Sequence, residues 1–357
     1  MAESVIPVFK PVLPETSAIG VYLERAARSG KYSNWGPLVT SLEERLADHF
    51  GVHPANVAMC TSGTTALEGA LATAADTGVD WELPAWTFTA TPGAALRAGK
   101  KPHFVDVDLD QRAIFGAETI RAIDVLPFGA GPTWERATLP LTLVVDAAAS
   151  FDSTKDFSFP SKSSVGVIVS LHATKSLPAG EGGVFFSNDR GWVDQFRQWA
   201  NFGMWGSRVS QFPGTNGKMS EFTAAVAHAA LDAWPDSRAR WIHQSKYSYR
   251  ISTNLDIVSS RNDGLELATP YWNIQLKNER SRVSLESYLT QRGVETRRWW
   301  GDGCHKMPAY EQIGHRELPR TEKFSQTILG LPFHLSMSIS DFERIEHLLE
   351  TYFAREN

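Results

Sequence analysis

The sequence predicts an α/β fold, with a large domain over residues 1–240 and a smaller α+β domain over residues 241–357. One observation is the succession of a strand, a tight polar turn and a helix between residues 56 and 74. A second is a set of strand-length apolar runs with hydrophobic residues at consecutive positions, as in central strands covered by helices on both faces. The third is a change of pattern after Pro235. We therefore expect a mostly parallel sheet in the first two thirds of the chain.

The composition and net charge of the chain limit the kinds of molecule that it is expected to bind. The chain has 357 residues, 42% of them hydrophobic, and its formal net charge of −5 provides no global field that attracts nucleic acid or an anionic membrane. Small molecules are the expected partners. Because Cys60 and Cys304 are the only cysteines, no disulfide framework is possible. Neither a signal peptide nor a membrane-spanning stretch is recognisable, and we expect a soluble, cytoplasmic protein.

The elements of the large domain follow from hydrophobic periodicity. Residues 38–50 predict an amphipathic helix, since apolar side chains recur at every fourth position, and Ser41 with Glu44 predicts a capping box at its start. A strand over residues 56–60 leads through a turn into a second helix. Further strands are predicted over residues 103–107, 122–128, 142–147, 164–171 and 182–187.

The second domain is predicted in less detail. A helix over residues 219–234 is expected to end near Pro235, and a polar, basic stretch follows it. After that stretch we predict a strand over residues 271–277, a helix over residues 284–293, and a last helix opened by a capping box of Ser340 and Glu343.

Three segments of the large domain carry chemistry. The turn of Ser62, Gly63 and Thr64 stands between a strand and a helix, where free backbone N–H groups can bind an anion such as phosphate. Taken alone, such a turn is more often explained by simple N-capping by Ser62 or Thr64. Asp146 ends a buried strand, at the edge where open α/β sheets bind ligands. Lys175 follows 29 residues later, after another strand and before a glycine-rich turn, as a potential amine nucleophile.

Together these parts meet the requirements of a pyridoxal 5'-phosphate (PLP) site. A lysine forms the Schiff base with the cofactor, an aspartate pairs with the pyridine nitrogen, and a cradle of N–H groups holds the phosphate. Each of the three segments supplies one of these requirements, so the sequence predicts PLP as the cofactor and no metal.

Seven motifs of this sequence occur in the same order as in the DegT/DnrJ/EryC1/StrS aminotransferases, and the chain resembles that family. They are GTTAL (63–67), PAWTFTAT (84–91), VVDAAAS (144–150), SLHATKSLPAGEGG (170–183), NFG (201–203), GTNGKMSE (214–221) and RRWWGDGCHKMPAY (297–310). The resemblance implies a fold-type I PLP enzyme with a mostly parallel seven-stranded sheet. It also implies an aminotransferase acting on keto sugars carried on a nucleotide.

The resemblance further implies roles at matched positions. Lys175 resembles the cofactor-binding lysine and Asp146 the partner of the pyridine nitrogen, and both are predicted to be catalytic. Gly63, Thr64 and the adjacent Ser62 resemble the phosphate-binding turn. Three more positions are predicted to contact the cofactor or to lie beside it: Ser170 at the phosphate, Phe88 stacked on the ring with Trp86 as the alternative, and His172, for which packing at a strand end is an equal explanation.

Two further positions bear on assembly and on a departure from the family. Asn216 resembles an asparagine that reaches from one subunit to the phosphate in the other, which implies a homodimer with shared active sites. Family members usually carry glutamine or histidine near the ring hydroxyl of the cofactor, where this chain has Ala149. Another residue or a water is expected to fill that place.

Four residues are predicted to bind substrate: Trp35, Arg298, Trp299 and His305. The tryptophans offer flat faces for a sugar or nucleobase, with core packing as the alternative, and Arg297 or Arg298 offers a cation for a diphosphate or a carboxylate. The pair of Cys304 and His305 lacks the further ligands that a metal site needs.

The predicted function is transfer of the amino group of L-glutamate to a nucleotide-linked 3- or 4-keto-6-deoxy sugar, on dTDP or a similar nucleotide. The amino sugar would serve glycan or natural-product biosynthesis, for example the O-antigen of lipopolysaccharide. Three alternatives stay open: a PLP-dependent dehydratase or eliminase acting on a keto sugar, a regulatory homologue without turnover, and an unrelated small-molecule enzyme in which the phosphate turn is only a helix cap.

Overall fold

A computed structural model describes residues 4–74, 80–133, 139–259 and 266–356. Its helices are α1 (Thr16–Ser29), α2 (Pro37–Phe50), α3 (Gly63–Thr73), α4 (Ala90–Arg97), α5 (Arg190–Trp199), α6 (Glu221–Asp232), α7 (Trp234–Asn254), α8 (Glu279–Thr290), α9 (Pro319–Thr327) and α10 (Ile339–Glu356). Its strands are β1 (Val57–Cys60), β2 (Trp81–Pro84), β3 (Pro102–Val105), β4 (Arg121–Val125), β5 (Thr142–Asp146), β6 (Ser164–Ser170), β7 (Gly183–Ser187), β8 (Val258–Ser259), β9 (Trp272–Gln275) and β10 (Ile328–Leu331).

The main sheet has seven strands in the order β1-β7-β6-β5-β4-β2-β3. The five strands from β6 to β3 pair in parallel, whereas β7 runs antiparallel to both of its neighbours. The buried side chains of this sheet contribute to two hydrophobic clusters, since helices cover both of its faces. This arrangement confirms the predicted α/β class and its mostly parallel sheet.

A second sheet of three strands, in the order β10-β9-β8, lies in the C-terminal part of the chain and pairs antiparallel throughout. β9 is its middle strand and corresponds to the strand predicted over residues 271–277, while β8 and β10 were missed. The predicted boundary between residues 240 and 241 falls inside the continuous helix α7. The division into two domains stays a prediction.

Several predicted element ends are wrong. Helix α2 begins at Pro37 instead of at a cap formed by Ser41, which lies inside the helix and turns its hydroxyl to the Leu38 carbonyl. The cap is provided from far along the chain, because the Glu221 carboxylate accepts hydrogen bonds from the N–H groups of Leu38 and Val39 at 2.7 and 2.9 Å. Such a long-range cap has no local sequence signature.

The capping box of the last helix is displaced by two residues. The Ser338 hydroxyl accepts the Asp341 N–H at 3.2 Å, and the Asp341 carboxylate accepts the Ser338 N–H at 2.8 Å, so Ser340 and Glu343 are not the box. Pro235, which was expected near the end of a helix, instead begins one. It lies in the first turn of α7, where a proline is tolerated because the N–H group that it lacks would have no intrahelical partner there.

Within the described residues, no helix combines the length and the apolar character that crossing a lipid bilayer requires.

Candidate active site

A cavity of about 450 Å³ opens at the carboxyl ends of β5 and β6, beside the start of α3. It is the place where open α/β sheets bind ligands. The sequence-predicted residues that line it are Ser62, Gly63, Thr64, Phe88, Asp146, Ala149, Ser170, His172, Lys175 and Trp299. Residues more than 230 positions apart in the chain are therefore brought to one cavity.

One end of the cavity is the N-terminus of α3, which begins at Gly63. Ser62 is the N-cap and its hydroxyl accepts the Thr65 N–H at 3.1 Å, so capping and cavity lining coexist at this residue. The first N–H groups of a helix lack intrahelical acceptors, and those of Gly63 and Thr64 are available to an anion. A Cβ at Gly63 would lie 2.8 Å from the Ser170 Cβ, so glycine is required for this close approach.

Asp146 is the last residue of β5, and its side chain is buried beside the cavity. The Thr91 hydroxyl donates to its Oδ2 at 2.7 Å and the Ala148 N–H donates to its Oδ1 at 3.1 Å. Burial raises the pKa of Asp146 above its usual range, although both hydrogen bonds and the Lys175 cation oppose the shift. A cationic partner in the cavity would stabilise this carboxylate in its charged form.

Lys175 stands in the turn that follows β6. Its N–H donates to the His172 carbonyl at 2.9 Å, which folds the backbone back and directs the side chain into the cavity. Its Nζ donates to the hydroxyl of Tyr271 at 3.1 Å. The ring of His172 accepts or donates at 2.9 Å to the Thr174 hydroxyl and lines the same cavity.

This donor set fits PLP. The helix start and the Ser170 hydroxyl offer donors for a phosphate, Asp146 offers a carboxylate for a protonated ring nitrogen, and Lys175 offers an amine for an aldehyde. The close approach of Gly63 to Ser170 keeps side chains out of the phosphate end.

The two candidates for stacking on the cofactor ring differ in position. Phe88 is 56% exposed and lines the cavity, whereas Trp86 is 1% exposed and its indole N–H donates to the Gln111 side chain at 2.9 Å. Phe88 is therefore the one with a free ring face. Its role at the cofactor stays a prediction.

Part of the cavity lining is aromatic, and we call Phe9, Phe128, Tyr271, Trp299 and Trp300 the aromatic wall. Phe128 and Trp300 stack with ring centroids 4.8 Å apart. Ala149 packs against this cluster with its methyl group and brings no polar atom to it. Phe9, Phe128 and Tyr271 were not among the predicted site residues. Phe9 and Tyr271 lie in no motif and follow no strand of the main sheet, and Phe128 was assigned to the end of the strand predicted over residues 122–128, whereas β4 ends at Val125.

The other predicted substrate-binding residues are not brought to the cavity of this chain. Trp35 packs against both large hydrophobic clusters. Arg298 pairs with Asp302, whereas its neighbour Arg297 does line the cavity. His305 is buried near His315, and desolvation by burial is the main cause that lowers its pKa.

Two more residues have a definite place. Asn216 is exposed, and its backbone bridges to Asn201 away from the cavity lining. Cys304 is buried, its thiol lies 3.1 Å from the Thr87 carbonyl, and burial raises the pKa of this thiol to about 12. Among the described residues, no cluster of His, Cys, Asp and Glu could hold a metal ion.

Comparison with known proteins gives consistent likenesses. A model of the DegT/DnrJ/EryC1/StrS aminotransferase family matches residues 15–124 and 137–350. The dTDP-4-amino-4,6-dideoxy-D-glucose transaminase of Escherichia coli is 30% identical, over 98% of this chain and 99% of the relative.

Solved structures of other proteins share the fold of this chain. The structure of DesI in the presence of its TDP-sugar product is 28% identical with a TM-score of 0.83, covering 98% of this chain and 93% of that one. 3-Amino-5-hydroxybenzoic acid synthase, at 20% identity, has a TM-score of 0.84 over 99% of this chain and all of that one. The latter likeness is one of fold alone. Together these structures confirm the predicted fold class.

Proposed function

From the premise that this chain belongs to the DegT/DnrJ/EryC1/StrS aminotransferase family, we propose that it transfers the amino group of L-glutamate to a nucleotide-linked keto-6-deoxy sugar. The protein is a PLP-dependent aminotransferase. The keto group is at carbon 3 or 4 of the sugar, and the nucleotide is dTDP or a similar one. The E. coli relative and DesI, through their names, support this substrate class.

The observation that carries the proposal is the presence of Lys175, Asp146 and the start of α3 at one cavity. When bound, PLP supplies an electron sink that stabilises the carbanion formed at the amino-bearing carbon of the substrate. We assign Gly63, Thr64 and Ser170 to its phosphate and Asp146 to its ring nitrogen. The carboxylate then keeps a proton on that nitrogen, in agreement with its need for a cationic partner.

Lys175 has two tasks in this proposal. Its amine binds the cofactor covalently at rest, and once an amino substrate displaces it, the free amine takes and returns the proton that moves during transamination. The same cavity serves glutamate first and the keto sugar second, so ping-pong kinetics are expected, with parallel double-reciprocal lines.

The aromatic wall and Arg297 would hold the sugar nucleotide. Aromatic faces stack on the apolar faces of a 6-deoxy sugar or on a nucleobase, and they exclude water from the reacting atoms. Arg297 is exposed at the cavity with its guanidinium 5.7 Å from the Trp299 ring, where it can pair with a diphosphate.

We propose a homodimer as the working form. Exposed aromatic side chains cluster in the sequence around Asn216, among them Phe202, Trp205 and Phe222, and an apolar surface of this kind is typical of an interface. Asn216 would then reach the phosphate of the cofactor in the partner. The cytoplasm is the compartment that we propose, because both cysteines are free thiols.

The test is an assay of the PLP-loaded protein with L-glutamate and a panel of nucleotide-linked keto sugars. We expect one molecule of 2-oxoglutarate for each amino sugar formed, with the product identified by mass spectrometry and NMR. Loss of a sugar hydroxyl without stoichiometric 2-oxoglutarate would establish the dehydratase alternative. No conversion of glutamate by the loaded protein would instead favour the regulatory homologue.

A further inference from the structure

The contact between Lys175 and Tyr271 joins parts of the chain that are 96 residues apart. Lys175 follows a strand of the main sheet, whereas Tyr271 immediately precedes β9, the middle strand of the C-terminal sheet. We propose that Tyr271 is a positioning residue for the amine of Lys175. The inference rests on the proposed role of Lys175 in the reaction.

The phenol ring of Tyr271 is held on several sides. It makes edge-to-face contacts with Phe9, Phe128 and Trp299, at centroid distances of 6.1, 5.4 and 5.3 Å. Trp299 is fixed in turn, since its indole N–H donates to the Asn273 side chain at 2.6 Å. A ring packed in this way presents its hydroxyl in one place.

The backbone that carries Tyr271 is also tied to the sheet edge of the cavity. The Ala268 N–H donates to the carboxylate of Asp152 at 2.9 Å, and the Thr269 hydroxyl donates to the Phe128 carbonyl at 2.7 Å. Gly129 adds a close approach, because a Cβ there would lie 2.5 Å from Thr269. These contacts hold the segment just before Tyr271 against the segments that follow β4 and β5.

The amine of Lys175 needs such a partner. A lysine side chain has four rotatable bonds, and holding a reacting group within about 1 Å of its productive position can change a rate about 100-fold. Tyr271 provides the hydrogen-bond acceptor that the structure assigns to this Nζ. When the amine is free and moves a proton, the phenol oxygen keeps it beside the reacting carbon.

The Tyr271 hydroxyl can also donate. Among the described residues no acceptor is found for its O–H, and the residue lines the cavity beside Ala149, which brings no polar atom of its side chain. The phenolic proton is therefore available to an oxygen of a bound molecule.

The test compares Tyr271→Phe with Tyr352→Phe. Tyr352 is a matched control, because its hydroxyl is also hydrogen bonded, to the Ser281 carbonyl at 3.2 Å, but lies away from the cavity. In single-turnover experiments with glutamate, Tyr271→Phe should slow the reaction about 10- to 100-fold and change the apparent glutamate affinity less than about twofold. Tyr352→Phe should leave both unchanged.

A second readout does not depend on the loaded enzyme. In cofactor-free protein, acylation of Lys175 by an amine reagent is followed by peptide mass spectrometry, with the exposed Lys246 as internal reference. Tyr271→Phe should accelerate acylation of Lys175 about threefold or more relative to Lys246, because the amine loses the partner that restrains it. An unchanged acylation ratio together with an unchanged single-turnover rate would overturn the proposal.

A change in only one readout also decides. If the reaction slows while the acylation ratio stays constant, the Tyr271 hydroxyl acts on a bound molecule alone, and the positioning role that we propose is overturned. Failure of the underlying assignment is separately visible, since Lys175→Ala would then retain turnover whatever Tyr271→Phe does.

Discussion

The cavity has two groups of residues, those at the carboxyl ends of main-sheet strands, which we call the sheet edge, and those of the aromatic wall. The two groups differ in how far their places can be recognised in the sequence. Gly63 and Lys175 follow strands of the main sheet, Asp146 ends one, and each of the three lies in a short local motif. Tyr271, Phe9 and Phe128 come from separate regions and meet only through the fold. We propose a division of work that follows this difference, in which the residues at the strand ends perform the chemistry and the aromatic wall positions and selects the substrates.

This division is tested first at the sheet edge, where the largest effect is expected. Lys175→Ala should lower turnover with glutamate by about 10⁴-fold or more, because the amine that binds the cofactor and moves the proton is lost. The measurement is 2-oxoglutarate formation by the PLP-loaded variant. Lys246→Ala, at an exposed lysine of α7, is the control and should retain full turnover. Comparable rates for the two variants would place the chemistry elsewhere.

Asp146→Asn should lower turnover by roughly 10² to 10³-fold. The amide is nearly isosteric and can still accept the Ala148 N–H, but it cannot stabilise a proton on the ring nitrogen. Steady-state kinetics at saturating glutamate measure the effect. Full activity in this variant would separate Asp146 from the cofactor and leave it as a structural carboxylate.

Substitution of the two adjacent arginines compares a residue that lines the cavity with one that does not. Arg297→Ala should raise the KM for the sugar nucleotide about 10- to 150-fold, since a charge-assisted hydrogen bond contributes roughly 1.5–3 kcal/mol. Arg298→Ala should change that KM less than twofold, because Arg298 pairs with Asp302 instead of lining the cavity. The reverse ranking would restore the original assignment of Arg298 to substrate.

A smaller effect is expected from one aromatic face. Trp300→Ala should raise the KM for the keto sugar about 3- to 10-fold, from the loss of roughly 0.5–1.5 kcal/mol of stacking, while the KM for glutamate stays constant. Tyr249→Ala, at an exposed aromatic of α7, is the control. An equal rise for both substrates would argue against a selective wall.

The smallest effect concerns stability in cofactor-free protein. Burial raises the pKa of Asp146, so the folded state binds more protons than the unfolded state once the pH exceeds the unfolded carboxyl pKa of about 3.9. The free energy of unfolding therefore falls as the pH rises from there through the raised pKa, and stays lowered above it. Asp146→Asn should raise Tm by about 1–3 °C at pH 8 and by less at pH 4. A lower Tm for the variant at pH 8 would contradict this.

Much of the fold was readable from the sequence, and the failures have physical reasons. The strand β2 was missed because its four residues include Glu82, whose charge is satisfied by the Thr119 hydroxyl and by Arg316. The helix α7 was missed because most of its residues are polar, and Pro235 was interpreted as a helix end although it fits the first turn. The first error arises where long-range contacts satisfy a charge inside a strand, and the second where a proline that begins a helix is interpreted as one that ends it.

The site shows the same contrast. Residues at the ends of parallel strands were found because their positions share one edge of the sheet. The sequence does not distinguish Arg297 from Arg298, because two adjacent arginines have the same chemistry. Only the fold decides that Arg297 lines the cavity and that Arg298 pairs with Asp302. Tyr271 carried no signal at all, since its significance depends on a partner 96 residues away.

The central claim is that the amine of Lys175 is the group that holds the cofactor. The direct measurement is borohydride reduction of the PLP-loaded protein, followed by proteolysis and peptide mass spectrometry. We expect the mass of the reduced cofactor on the peptide that contains Lys175, and its absence from that peptide in Lys175→Ala. Attachment to a different lysine, or no attachment in a protein that turns over glutamate, would contradict the account.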